Sequence, residues 1–221
     1  EVFSEGETLA VDGEFRFAVF PRLSGRAPEL DETGSLRAIG RYLGRIHRVG
    51  ATKSFKVRET LTVNNMAERS REFLLSHGFI PRELQPAYES LTTDLIQRLQ
   101  TLFAAYSGAS QIRIHGDCHP GNVLWHDGMP FFVDFDDAAM APAVQDLWML
   151  LSGSRSQRQG QLLELIEGYT EFREFSAVEL GLIEAFRTLR ILRYSAWLAR
   201  SRVPKKFSLV QHREILVRAH S

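Results

Sequence analysis

A series of short strand-like segments at positions 111–135 is the feature that most constrains the fold of this chain. Ile112 and Ile114 alternate with polar neighbours, and residues 123–125 and 131–133 form two further apolar runs, each following a turn signal. The segments before and after this region instead place apolar residues three or four positions apart, which is the spacing of helices. Short strands with polar loops, enclosed by helical segments, predict an α+β fold.

Two helices are predicted before the strand region. From Asp31 to about His47 apolar residues recur at helical spacing, and Gly50 follows as a stop signal. After Pro81, which suits a first helical turn, a second apolar stripe consists of Leu84, Tyr88, Leu91, Leu95, Leu99 and Leu102. We expect these two helices to pack into one core. Further helical segments are predicted over residues 144–151, 162–172 and 180–197.

The beginning of the chain predicts a β-hairpin over residues 7–20. Strand-like alternation follows the Asp12-Gly13 pair, which is a turn signal. Residues 21–28 contain Gly25 and two prolines and therefore predict a loop or hinge.

Charge and cysteine content exclude several classes of function. The chain has 27 basic and 27 acidic residues, so no overall field attracts it to nucleic acid or to an anionic membrane. Cys118 is the single cysteine, which excludes an internal disulfide and favours a reducing compartment. No apolar run approaches the roughly 20 residues of a membrane span, and the first residues lack the pattern of a secretion signal. We expect a cytoplasmic protein without nucleic-acid or membrane partners.

Three polar residues of the strand region form an ordered set. Asp117 and Asn122 lie five positions apart in a loop between two strands, and Asp134 follows the next apolar strand. The Asp-x-x-x-x-Asn spacing is that of a kinase catalytic loop, in which the aspartate accepts the hydroxyl proton and the asparagine binds magnesium. Phosphoryl transfer requires mainly positioning and charge neutralisation, and Mg²⁺ prefers oxygen ligands. Asp134 suits a second metal ligand.

Other interpretations of the same region remain. A single aspartate in a loop is commonly a turn or helix cap, and Asp136 fits either a solvated edge or a supporting, second-metal role. His115, Cys118, His119 and His126 could indicate zinc, but the other histidines are scattered singly. We expect His115 to support the loop by hydrogen bonding and Cys118 to fill space.

Three stretches of the chain carry a family resemblance. Residues 115–125 read His-Gly-Asp-Cys-His-Pro-Gly-Asn-Val-Leu-Trp, residues 132–138 read Phe-Val-Asp-Phe-Asp-Asp-Ala, and residues 142–151 read Pro-Ala-Val-Gln-Asp-Leu-Trp-Met-Leu-Leu. This set resembles the aminoglycoside phosphotransferase and choline kinase superfamily, and within it the bacterial stress response kinase A group. The likeness extends to residues 17–21, 39–47 and 181–184, and so covers most of the chain.

The resemblance implies a protein-kinase-like fold with a mostly helical C-lobe. It implies Asp117 as the proton acceptor and Asn122 and Asp134 as magnesium ligands, with ATP as co-substrate. It also implies that Asp146 is a buried carboxylate that braces the catalytic loop.

The resemblance further implies a hinge strand that meets the adenine of ATP. The hinge residues are Phe17, Ala18, Val19 and Phe20. On this interpretation residues 1–24 are the remnant of a β-rich N-lobe, and residues 25–221 are the catalytic C-lobe. The sequence contains no Gly-x-Gly-x-x-Gly, and no lysine precedes the hinge. We therefore expect most of the N-lobe to be missing, and turnover by this chain alone to fall far below the roughly 1–100 per second of ordinary kinases.

Three functional hypotheses follow. The first is a serine/threonine protein kinase, the second a kinase of a small alcohol such as an aminoglycoside, choline or homoserine, and the third a non-catalytic binding lobe. Arg187, Arg190 and Arg193 could share one helix face. Such a face is commonly solvated, and the alternative is that it binds an acidic protein segment or an anionic acceptor.

Overall fold

The computed structural model describes residues 9–13, 15–19, 22, 24–32 and 34–202. This part of the chain contains α-helices and three two-stranded antiparallel sheets. The helices are α1 Ser35–Gly50, α2 Arg69–Ser76, α3 Gln85–Ala105, α4 Val144–Trp148, α5 Arg155–Thr170 and α6 Ile183–Arg202. The strands are β1 Ala10–Asp12, β2 Phe15–Phe17, β3 Ile112–Ile114, β4 Val123–His126, β5 Met129–Phe132 and β6 Ala139–Ala141. The predicted α+β class with a predominance of helix is confirmed.

Several helices begin or end at residues other than the predicted ones, for reasons that lie in the local backbone. Helix α1 begins at Ser35 instead of Asp31 because Gly34 precedes it in the left-handed region, with φ +88°. It continues to Gly50, which the sequence suggested as a stop. The helices predicted over 144–151 and 162–172 end earlier, at Trp148 and Thr170.

Helix α5 begins seven positions before the predicted residue 162 because a capping box fixes its start. The Ser154 hydroxyl accepts a hydrogen bond from the Gln157 amide nitrogen at 3.3 Å, and the Gln157 side chain accepts one from the Ser154 amide nitrogen at 2.8 Å. Each bond satisfies a backbone donor that the first turn leaves without a helical partner. The apolar periodicity alone did not reveal this polar first part of the helix.

The N-terminal hairpin is present, with β1 paired to β2 so that Asp12 lies opposite Phe15. Gly13 has φ +60°, in the region that a tight turn requires. Of the predicted hinge residues, Phe17 ends β2, and Ala18 and Val19 follow it as exposed, non-strand residues. Phe20 and both outer ends of the predicted 7–20 hairpin lie outside the described residues, and the division at residue 24 stays a prediction.

Helix α1 packs most extensively against α5. The expectation that α1 and α3 contribute to one core is confirmed, because Leu43 of α1 and Leu99 of α3 are buried in the same apolar cluster. The α1–α5 contact is close because small residues face the opposite backbone. A Cβ at Gly40 would overlap the carbonyl oxygen of Leu165, and a Cβ at Gly168 would overlap that of Arg37.

We expect Gly40→Ala to destabilise the fold by about 1–3 kcal/mol, the usual cost of excess volume in a well-packed contact. The carbonyl in its way belongs to the α5 backbone and cannot rotate aside as a side chain could. Gly160→Ala, on the exposed side of α5 with open space around it, is the matched control. It should stabilise by about 0.5–1 kcal/mol through helix propensity. Urea unfolding measures both, and equal effects of the two changes would contradict the packing argument.

The apolar stripe predicted on α3 is mostly not buried. Leu84, Leu91 and Leu102 are 55%, 59% and 38% exposed. Thr92 and Leu99, seven positions apart and therefore on one face, are the buried residues of this helix. Helix α3 lies at the edge of the fold and buries a narrow face. The spacing of apolar residues in the sequence does not show whether the buried face of a helix is narrow or wide.

The two remaining sheets frame a loop over residues 115–122. Strand β3 pairs with β6, so that Ile112 lies opposite Ala141, and strand β4 pairs with β5, with Val123 opposite Phe132. The β4–β5 turn is Asp127-Gly128, as its sequence predicts, and both residues have positive φ. None of the helices in the described ranges carries an apolar stretch of the length that a bilayer crossing requires.

Candidate active site

Hydrogen bonds join the backbone segments that carry the three residues of the predicted catalytic set. The Asn122 Nδ2 atom donates to the carbonyl oxygen of Asp117 at 3.0 Å, which closes the loop between β3 and β4. The Val133 amide nitrogen donates to the carbonyl oxygen of Asn122, also at 3.0 Å. Because Asp134 directly follows Val133, these two bonds connect the segments that carry Asp117, Asn122 and Asp134. The predicted residues therefore come from two loops that the fold holds side by side.

His115 supports this cluster from within the protein, as the sequence predicted. Its ring is fully buried, and its Nε2 atom lies 2.8 Å from the carbonyl oxygen of Val133. The Asp117 amide nitrogen donates to His115 Nδ1 at 3.3 Å. A neutral ring that is protonated at Nε2 satisfies both contacts. His115 thus joins the backbone of Asp117 to the residue that precedes Asp134.

Gly116 allows a close backbone approach at the same place. Its φ is +87°, and a Cβ here would overlap the carbonyl oxygen of Asp137. Any side chain would therefore both strain the backbone and separate the catalytic loop from the segment after Asp134.

Asp146 braces the catalytic loop, as the family resemblance implied. It is fully buried near the start of α4. Its Oδ2 atom accepts a hydrogen bond from the His115 amide nitrogen at 2.7 Å, and its Oδ1 atom accepts one from the Gly116 amide nitrogen at 2.9 Å. A buried carboxylate that accepts several backbone donors fixes the conformation of the segment that supplies them.

A buried polar chain behind Asp146 was not anticipated from the sequence. His47 Nε2 lies 2.9 Å from Asp146 Oδ2, and His47 Nδ1 lies 3.1 Å from the Tyr169 hydroxyl oxygen. With Nε2 as donor and Nδ1 as acceptor from the hydroxyl, all three groups are satisfied. Burial raises the pKa of Tyr169 well above its ordinary value and keeps the hydroxyl protonated. The available signal was that His47 stands four positions after Leu43, on the buried face of α1.

Two further buried groups stabilise the surroundings of the loop. Glu179 is 3% exposed and accepts a hydrogen bond from the Val144 amide nitrogen at 3.0 Å, and burial raises the pKa of its carboxyl. Burial, together with the negative charges of Asp146 and Asp117, raises the pKa of the Cys118 thiol well above its usual range. Cys118 is fully buried, in agreement with its predicted role as a space-filling residue.

Asp134 occupies an unusual backbone conformation. Its φ is +63°, one of two positive φ values among the non-glycine residues that the structure describes. Such conformations cost free energy and concentrate at functional sites. Asp134 is exposed, as is Asp136, whose carbonyl oxygen accepts a hydrogen bond from Arg58 Nη1 at 2.5 Å. This contact involves the backbone of Asp136 and does not test whether its carboxylate binds a metal. The metal-binding role of Asp136 stays a prediction.

The donor set of the site suits a hard cation. Asn122 and Asp134 offer an amide oxygen and a carboxylate, the ligand types that Mg²⁺ prefers when phosphates and water complete its coordination. In the described ranges no group of three or more His, Cys, Asp and Glu side chains is placed to hold a metal ion. His119 Nδ1 instead accepts a hydrogen bond from the Gly121 amide nitrogen at 3.0 Å.

The arginine face predicted on α6 is present, and each arginine contacts a carboxylate of the same chain. The pairs are Arg187–Glu184 at 3.0 Å, Arg190–Asp117 at 2.5 Å and Arg193–Asp137 at 3.2 Å. One of these carboxylates, Asp117, belongs to the candidate site, a contact that the sequence did not predict. Because all three arginines are paired with carboxylates of the same chain, the face is not simply solvated. The pairing also weakens the alternative that these arginines bind an acidic protein segment or an anionic acceptor.

The loop over residues 115–122, with these contacts and with helices around it, is the arrangement expected of a phosphotransferase with a protein-kinase-like fold. The chain matches the phosphotransferase enzyme family over residues 1–180, and it belongs to that family. It is 44% identical over 195 residues to stress response kinase A of Shigella flexneri and of Escherichia coli K12. It is 39% identical to the serine/threonine protein kinase RdoA of Salmonella typhimurium. These matches cover 88% of this chain and 58% of each relative, so the chain spans little more than half their length.

Solved structures confirm the fold at low sequence identity. Amicoumacin kinase hAmiN, in complex with AMP-PNP, Ca²⁺ and amicoumacin, superposes with a TM-score of 0.66 at 22% identity, covering 97% of this chain and 68% of the other. Choline kinase LicA from Streptococcus pneumoniae superposes with a TM-score of 0.61 at 15% identity, covering 84% and 62%. The protein-kinase-like fold predicted from the sequence is thus confirmed.

Proposed function

We propose that this protein transfers the γ-phosphate of Mg·ATP to a hydroxyl group, and that the acceptor is a serine or threonine of a protein. The observation that carries the proposal is the pair of hydrogen bonds that joins the segments carrying Asp117, Asn122 and Asp134. The protein acceptor is supported by the 39% identity to a relative named serine/threonine protein kinase RdoA.

The roles of the residues follow from their chemistry. Asp117 accepts the proton of the acceptor hydroxyl while the hydroxyl oxygen bonds to the γ-phosphorus. The bond from that phosphorus to the β–γ bridging oxygen breaks, and ADP leaves. Asn122 and Asp134 would hold Mg²⁺, which supplies neutralisation of the phosphate charge. Asp146 and His115 contact neither substrate and act by fixing the loop that carries Asp117.

The test is phosphoryl transfer by the complete encoded protein, with the 221-residue chain in parallel. The protein is incubated with γ-labelled ATP, Mg²⁺ and either a generic protein substrate or a panel of small alcohols that includes choline, homoserine and an aminoglycoside. We expect acid-stable phosphoserine or phosphothreonine to form, and we expect none to form when EDTA is present from the start.

The other outcomes separate the alternatives. Label found in a small alcohol and not in protein would identify the second function, a small-molecule kinase. Failure to bind Mg·ATP in calorimetry, together with no transfer to any acceptor, would support a non-catalytic lobe and contradict the proposal.

A further inference from the structure

The contact between Arg190 and Asp117 joins helix α6 to the proposed catalytic base. The Arg190 Nη1 atom lies 2.5 Å from the Asp117 Oδ1 atom, and the two side chains are 35% and 22% exposed. Within the described chain this Oδ1 atom is buried and accepts no aligned hydrogen bond, so the contact is an ion pair with off-axis geometry. The guanidinium therefore neutralises an oxygen that would otherwise be costly to bury.

The second oxygen of Asp117 has a looser partner. His119 Nε2 lies 3.6 Å from Asp117 Oδ2, beyond hydrogen-bond distance. The tightest charge contact of the carboxylate is therefore the one from α6, and not one from its own loop. The loop fixes the Asp117 backbone through Asn122 and His115, and Arg190 constrains the orientation of the carboxylate.

Helix α6 can hold a side chain in a defined place because it is anchored in the core. Phe186 and Leu189 are fully buried, and Leu192 is 7% exposed, so buried residues lie on both sides of Arg190 along the helix. A functional group is held more accurately when it projects from a packed helix than from a loop. Arg187 and Arg193, the neighbouring arginines, contact Glu184 and Asp137 instead of the base.

We propose that Arg190 is a positioning residue for the base, which sets the orientation of the Asp117 carboxylate toward the acceptor hydroxyl. The proposal rests on the proposed function, because it assigns Arg190 an effect on phosphoryl transfer. The contact acts through charge from a fixed place on α6, because Nη1 lies beside Oδ1 without an aligned hydrogen bond and attracts that oxygen to one side of the loop. A small misplacement of a reacting group costs up to about 100-fold in rate.

The experiment compares Arg190→Gln with Arg187→Gln in the complete encoded protein. Arg187 is a matched control, because it lies one turn earlier on α6, is 36% exposed and forms its ion pair within its own helix. We expect Arg190→Gln to lower kcat about 10- to 100-fold, with the KM for Mg·ATP changed less than about threefold. Arg187→Gln should leave both constants close to wild type. Arg190→Lys should recover part of the lost kcat, because it restores the positive charge but not the shape and reach of the guanidinium.

A second measurement does not depend on activity. Amide hydrogen exchange of residues 115–122 should be faster in Arg190→Gln than in wild type and unchanged in Arg187→Gln, at similar thermal midpoints. A merely stabilising contact would lower the thermal midpoint and would not give a loss confined to kcat.

The results distinguish this proposal from the proposed function. If wild type transfers phosphate, and Arg190→Gln then behaves as Arg187→Gln does, Arg190 is not a positioning residue and the proposed function stands. An increase in kcat on removing Arg190 would also contradict positioning, since it would mean that the contact restrains the base. Absence of transfer by wild type would contradict the proposed function itself. It would also contradict the proposed role of Arg190, because that role is an effect on transfer.

Discussion

Asp117→Asn should abolish nearly all phosphoryl transfer while leaving the fold intact. The amide keeps the size of the carboxylate but cannot accept the hydroxyl proton, and general-base catalysis contributes about 10²- to 10⁴-fold to a rate. We therefore expect kcat to fall by about that factor. Stability should change by less than about 1 kcal/mol, because the Asp117–Arg190 pair is partly exposed.

Nucleotide binding separates the base from the metal ligands. Because Asp117 is not a proposed ligand, Asp117→Asn should bind Mg·ATP as wild type does in calorimetry, whereas Asp134→Asn should bind it more weakly. Asp127→Asn is the matched control. Asp127 lies in the β4–β5 turn with its side chain 81% exposed, and Asn tolerates its positive φ. Equal loss of activity in Asp127→Asn and Asp117→Asn would contradict the assignment of Asp117 as the base.

Asp146→Asn should be the most destabilising single change at the site. The new NH₂ group would face backbone and ring donors that now point at a carboxylate, namely the amide nitrogens of His115 and Gly116 and the Nε2 atom of His47. Removing one partner from a buried, charged network costs about 3–5 kcal/mol. We expect a loss of this size in urea unfolding, together with loss of transfer activity, because the catalytic loop loses its buried support.

The control for Asp146 is Asp94→Asn on the exposed surface of α3. It removes the same charge without a buried partner and should change stability by less than about 0.5 kcal/mol. His47→Ala should lower stability in the same direction as Asp146→Asn. The double variant should lose less than the sum of the two, since both changes disrupt one network. Full additivity would indicate that His47 and Asp146 act independently.

The proposed chemistry was readable from the sequence because it depends on local order. Asp117 and Asn122 lie in one loop, and their spacing is set by the chain itself. The strands beside them and the Asp127-Gly128 turn follow from alternation and from turn chemistry, which also act over a few residues. Asp134 was predicted for the same reason, since it follows the next strand of the same hairpin.

Helix boundaries were predicted less well, and helix partners were not predicted. The start of α5 depends on a polar capping box that the apolar period does not contain. Helix α1 packs closely against α5 because glycines leave room for the backbone of the opposite helix. The sequence of one helix does not show which backbone will lie against its glycines. The exposure of Leu84 and Leu91 likewise depends on where α3 lies in the fold, because a stripe shows which side faces inward but not how much is covered.

The sequence by itself determined the class of fold and the family, and it predicted the catalytic loop, since these depend on neighbours in the chain. Only the tertiary structure brought Arg190 of α6 onto Asp117, and His47 and Tyr169 behind Asp146. Ion pairs and buried hydrogen bonds between distant segments are decided by the packing of whole helices, and a local pattern carries no information on which of several arginines will reach a given carboxylate.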